Sequence, residues 1–167
     1  MKRIAVALSV LLVVSGCATF LESILDLDYI RTYPGKPLSR DEVAILTHRN
    51  PYSQEILFTA VDGQKTDSIV TGFIEFLPGL HSVTVGWANS YGNTVYTSEK
   101  TIQVSAQYKA GHTYIVVPNF NKQTGDTWNP SVIDISSDIN SPEYEGLRKA
   151  VDDYFQRERD AYYRNDQ

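Results

Sequence analysis

The chain has 167 residues with 20 acidic and 15 basic side chains, a formal charge of −5 and a single cysteine. That length suits one domain with a sizeable core of its own. The acidic balance argues against binding nucleic acid phosphates or adhering electrostatically to anionic lipid, and one cysteine excludes an intrachain disulfide. From the start, residues 1–16 read as an export signal. Lys2 and Arg3 supply the positive end, Ile4 to Val14 are apolar but for Ser9, and Ser15-Gly16 are small residues at a cleavage point. The apolar run is too short to span a bilayer stably. Removing residues 1–16 leaves 151 residues and, with Lys2 and Arg3 gone, a formal charge of −7.

Residues 17–38 read as a tether and entry segment. Phe20, Leu21, Ile24, Leu25 and Leu27 have near-helical spacing, consistent with a short amphipathic turn, before Pro34, Gly35 and Pro37 break regular structure. Ser39-Arg40-Asp41-Glu42 has the spacing of a capping box and precedes the apolar run Val43–Leu46. We read one helical turn and then a strand, with a short helix through Thr47 as the alternative.

Residues 39–140 read as a β domain. Ile56, Phe58 and Ala60 alternate with Leu57, Thr59 and Val61 until Asp62-Gly63 marks a turn. Ile69 to Leu77 is the next extended run, and Pro78-Gly79 predicts a type II turn. Val83, Val85 and Trp87 share one face of a half-buried strand. Asn89 to Asn93 reads as a loop. Ile102 and Val104 are placed in the core, His112–Val117 forms a strand, 118–130 is a polar loop, and 131–136 is the last strand. The spacing predicts a mainly β fold: an antiparallel β-sandwich of about seven strands, immunoglobulin- or transthyretin-like, with a C-terminal helix. That helix falls within residues 141–167. Ser141 and Pro142 suit its start, and Leu147, Ala150, Val151, Tyr154 and Phe155 line one face. From Arg157 onward the charged sequence predicts fraying.

Val14-Ser15-Gly16-Cys17 resembles the lipobox of bacterial lipoproteins. The resemblance implies cleavage between Gly16 and Cys17, a diacylglyceryl thioether on Cys17 and acylation (palmitate or a similar chain) of its amino group. Two or more acyl chains give stable anchoring where one is marginal. Ala18 follows, not Asp, which by enterobacterial sorting rules implies the outer membrane, facing the periplasm. Tyr33-Pro34-Gly35, Glu42–Leu46, Val61-Asp62-Gly63 and Leu77–Val85 resemble a group of small bacterial envelope lipoproteins. The later part, the Asp62-Gly63 turn followed by the Leu77–Val85 strand entry, is similar to PEGA-type β-sandwich modules, although their Pro-Glu-Gly-Ala tetrad is absent; the resemblance as a whole covers roughly residues 33–117. The resemblance implies fold and location, not catalysis.

No phosphate loop, dinucleotide fingerprint or nucleophile elbow is present. His48, His81 and His112 lack metal-ligand spacing, and His81 and His112 each open a strand after a turn, which favours structural hydrogen bonding. Asp152-Asp153 reads as the solvent side of the helix. We therefore expect no enzyme, no metal and no cofactor. The expected role is a non-enzymatic structural or protein-interaction one, with the membrane reached through Cys17, an envelope protein as partner and no nucleic acid. The alternative is a glycan- or peptidoglycan-binding module. Tyr91, Tyr96 and Trp128 are its candidate ligand- or partner-contact residues, as loop aromatics beside Asn89, Asn93, Asn119 and Asn121. The competing reading, which we favour, packs the tyrosines at the rim of the sandwich with their hydroxyls wet.

Overall fold

A computed structural model describes residues 29–48, 56–70, 72–91, 94–119, 128–136 and 142–165. The signal segment, Cys17, the amphipathic turn and Ser141 lie outside them. The described residues form ten strands and one helix: β1 (Tyr29–Arg31), β2 (Ala44–His48), β3 (Ile56–Val61), β4 (Gln64–Val70), β5 (Phe73–Phe76), β6 (Gly79–Tyr91), β7 (Thr94–Thr97), β8 (Ile102–Tyr108), β9 (Thr113–Val117), β10 (Ser131–Asp134) and α1 (Pro142–Asn165). No helix among them is long and apolar enough to cross a membrane.

One sheet has the order β1-β5-β2-β9-β10, and the other β4-β3-β6-β7, with β8 also paired to β6. The expected all-antiparallel set of about seven strands is corrected here. There are more strands, and β1 runs parallel to β5 and β2 parallel to β9. In the first sheet β2 is buried along its whole length. Ala44 and Leu46 join one hydrophobic cluster, and Val43 and Ile45 join another. Burial on both faces explains a continuous apolar run in place of alternation, and Ala44–Leu46 of that run are strand, with Val43 just before it. The Ser39–Glu42 box forms without a helix. Glu42 reaches back to the Ser39 amide at 2.9 Å, and the chain turns directly into β2.

The first cluster joins Leu46, Ile74, Phe76 and Val116 of the first sheet to Phe58, Val83 and Val85 of the second. The second cluster joins the opposite face of the first sheet, through Ile45, Phe73 and Ile115, to Leu147, Val151, Tyr154 and Phe155 of α1. The helix therefore covers sheet with the face its sequence predicts. Of the expected core, Val83 and Val85 are fully buried, Val104 packs partly on the cluster, and Trp87 and Ile102 are half-buried.

Four local readings differ. Gln64–Val70 is a strand, β4, although its start is polar; it lies at the edge of its sheet, where alternation is weak. The loop expected at 89–93 is largely strand, because β6 runs to Tyr91 and pairs with β7 there. Among the described residues the pairing of β3 reaches Trp87, and the residues of β6 beyond it are polar. Gly79 sits at φ 151°, past the roughly +80° of a type II turn, so Pro78-Gly79 opens β6 with a different bend. Finally, α1 does not fray at Arg157 but continues to Asn165. Asp62 and Gly63, at φ 47° and 77°, make the two-residue hairpin turn between β3 and β4 that the Asp-Gly pair predicts.

Candidate functional site

β1 places Tyr29, Arg31 and Tyr33 at alternate positions of an extended segment, so their side chains emerge on one side, toward α1. The same period puts Phe73 and Glu75 of β5 on that side, beneath them. The last turns of α1 close the arrangement with Glu158, Arg159 and Tyr162. A cleft of about 440 Å³ lies between.

Its floor is an ion pair taken out of water. Glu75 is fully buried and Arg159 nearly so, with Nη2 of Arg159 2.5 Å from Oε1 of Glu75. Arg159 also donates from Nε to the Leu38 carbonyl at 3.0 Å and from Nη1 to the Tyr29 hydroxyl at 2.7 Å. Its guanidinium lies 3.7 Å from the Phe155 ring centroid, one helical turn back. The Tyr33 hydroxyl donates to the same Oε1 of Glu75 in a short hydrogen bond and accepts from the Leu38 amide at 3.2 Å. Burial pushes the Glu75 carboxyl above the usual carboxylate range, and the Arg159 hydrogen bond and charge offset only part of this. Its second oxygen, Oε2, has no hydrogen-bond partner among the described residues. These contacts orient Tyr29, Tyr33 and the end of α1.

The rim is different. The Arg31 guanidinium lies over two rings, 5.5 Å from the Tyr33 centroid and 5.7 Å from that of Tyr162. Among the described residues it makes no ion pair, and neither does Glu158 of the same cleft.

The cleft was not among the sequence candidates. Tyr91 ends β6 opposite Thr94, and Tyr96 lies in β7 opposite Asn89, so both are strand residues and not loop residues. Trp128 is half-buried and packs against the first hydrophobic cluster. The candidates are not brought to the cleft. Asn93 and Asn121 lie outside the described residues. The signals that were present are the Tyr-x-Arg-x-Tyr alternation at 29–33 and the continuation of the helix stripe through Phe155, Arg159 and Tyr162 at i, i+4, i+7.

The histidines are engaged structurally. Nδ1 of His81 is 2.7 Å from Asp62 and its Nε2 2.8 Å from the Leu77 carbonyl, while Nδ1 of His112 is 2.8 Å from Asp134. His48 is buried in β2. Burial alone would raise the Asp62 carboxyl, but hydrogen bonds from His81 and Ser82 outweigh it and hold it below the usual range. On α1, Asp152 and Asp153 are exposed, and pair with Arg40 and Lys149. No group of three or more His, Cys, Asp or Glu among the described residues is placed to hold a metal ion. No protein-family model, curated protein or solved structure matches the chain.

Proposed function

We propose that this chain is a lipid-anchored bacterial cell-envelope protein that acts by binding and not by catalysis, on a domain of immunoglobulin- or transthyretin-like β-sandwich type. The anchor rests on the lipobox at Val14–Cys17, and the outer-membrane, periplasm-facing location on Ala18 after it. The observation that carries the binding reading is the state of the cleft. Beneath it Glu75, the one buried acid among the described residues, is sealed under Arg159 and Tyr33, while the half-buried rim offers rings, a guanidinium and a carboxylate. Such a rim recognises a ligand; nothing in it is paired as nucleophile and base. The partner is then a component of the envelope, and the glycan-binding alternative is weakened at Trp128, which packs inward.

Two measurements test this. Mass spectrometry of the mature N-terminus should find Cys17 acylated, and Cys17→Ser should release the protein from membranes; a mature chain with a free Cys17 thiol ends the anchor reading. Turnover of model esters, peptides or glycans that is lost on replacing His81 or His112 would end the non-catalytic one. Crosslinking in intact cells identifies the partner.

A further inference from the structure

We propose that the cleft between β1 and α1 binds a zwitterion carrying an oxyanion and an ammonium group, the chemistry of a phosphoethanolamine headgroup. Arg31 is the oxyanion receptor. Its planar fork matches two oxygens of a phosphate or carboxylate, and two tyrosine rings already restrain it, so little freedom is lost on binding. Its side-chain donors make no hydrogen bond to any described residue, so they are available to a ligand. Glu158 is the ammonium receptor: a half-buried carboxylate lining the same cleft, with no ion-pair partner among the described residues.

Charge selects a zwitterion over a simple anion. Arg159 is neutralised by Glu75 underneath, so the rim presents one positive and one negative group, Arg31 and Glu158. An anion alone would meet Glu158 and the net charge of a chain at −5. A cleft of about 440 Å³ is within the size range of small-molecule sites and holds a headgroup of this kind.

The binding chemistry rests on the cleft alone. Only its assignment to membrane lipid rests on the proposed anchor. Tyr29 follows Cys17 by twelve residues, a reach of at most about 40 Å, so an anchored cleft stays close to headgroups.

The test uses the mature chain, residues 17–167, carrying Cys17→Ser, titrated with phosphoethanolamine and followed by NMR. Saturable binding is expected. It should weaken about tenfold or more in Arg31→Ala and in Glu158→Gln, with unchanged melting, and inorganic phosphate and ethanolamine separately should bind about tenfold more weakly. Arg31→Lys keeps the charge and loses the fork, and is also expected to bind weakly. If Arg31→Ala does not fold, Glu158→Gln carries the test. No saturable binding, or phosphate binding as well as phosphoethanolamine with no effect of Glu158→Gln, overturns the proposal.

Flotation with vesicles rich in phosphatidylethanolamine, set against pure phosphatidylglycerol vesicles, separates the sources. Selective flotation that soluble phosphoethanolamine competes away assigns the site to lipid. Phosphoethanolamine binding without flotation supports the site and assigns it to a soluble zwitterion. A failure of Cys17 acylation leaves the titration untouched, so the two readings fail separately.

Discussion

Tyr108 carries a hydroxyl that the fold does not use. The ring packs between Phe76 and Tyr114, and the oxygen is buried with no partner among the described residues. Burial pushes its ionisation far above the ordinary tyrosine range, with Tyr114 and Asp62 adding to the shift. An unpaired buried hydroxyl costs stability where a hydrogen atom would not, so Tyr108→Phe should raise stability by about 1 kcal/mol. Chemical denaturation measures it, and a loss of that size would mean that the hydroxyl is bonded. Asp62 is the opposite case. Its oxygens accept from His81 and from the Ser82 amide, and its folded pKa lies below the unfolded value near 3.8. Its contribution is therefore present above about pH 4 and is lost as the pH falls through the lower folded pKa. Asn also tolerates the left-handed backbone at this position, φ 47°, so Asp62→Asn isolates the charge. The stability gap between wild type and Asp62→Asn should be about 0.5 kcal/mol at neutral pH, since the carboxylate is partly exposed, and should close as the pH falls through the lowered folded pKa. A gap that widens in acid would contradict the assignment.

The helix α1 is held by two kinds of contact. Leu147, Val151, Tyr154 and Phe155 bury an apolar stripe, each such side chain contributing about 1.5–3 kcal/mol. Arg159 adds a charge-bearing pin into Glu75 of β5. Removing one partner of a buried pair leaves the other charge stranded, so Arg159→Met should cost about 3–5 kcal/mol, whereas Glu75→Leu with Arg159→Met should recover most of the loss. Additive losses in that double-mutant cycle would show that the pin is not coupled. The stripe was legible in the sequence because it repeats at helical spacing. Arg159 continues that stripe, but a charged residue in a charged segment reads as solvated until a buried acid 84 positions away is placed against it. Edge strand β4 was hidden for a similar reason: it is covered on too little of its surface to impose alternation on Gln64, Lys65 and Thr66. The Asp62-Gly63 turn and the Val83–Val85 face were legible because each is dictated locally, by backbone conformation and by period. The cleft needs positions 29–33, 75 and 158–162 together, and no local pattern in the chain links them.

At the scale of the whole molecule, the first sheet belongs to both hydrophobic clusters, through Leu46 on one face and Ile45 on the other. Neither the second sheet nor α1 can leave without uncovering it, so unfolding should be one transition. Trp87 in β6 and Trp128 packed on the first cluster report from between the sheets and the far-ultraviolet helix signal reports from α1, so their denaturation midpoints should coincide; a helix that melts first would refute the shared core. Pairing of Ile45 with Thr113, far apart in the chain, also predicts slow folding. Tyr29, in the first described strand, and Asn165, at the end of α1, line the same cleft. The described chain thus nearly closes on itself. A circular permutant joining these two positions by a short linker, and opened between Asp62 and Gly63, should keep both sheets. The same closure has a practical side, because a purification tag fused at either end of the domain would hang over the cleft and compete with whatever enters it.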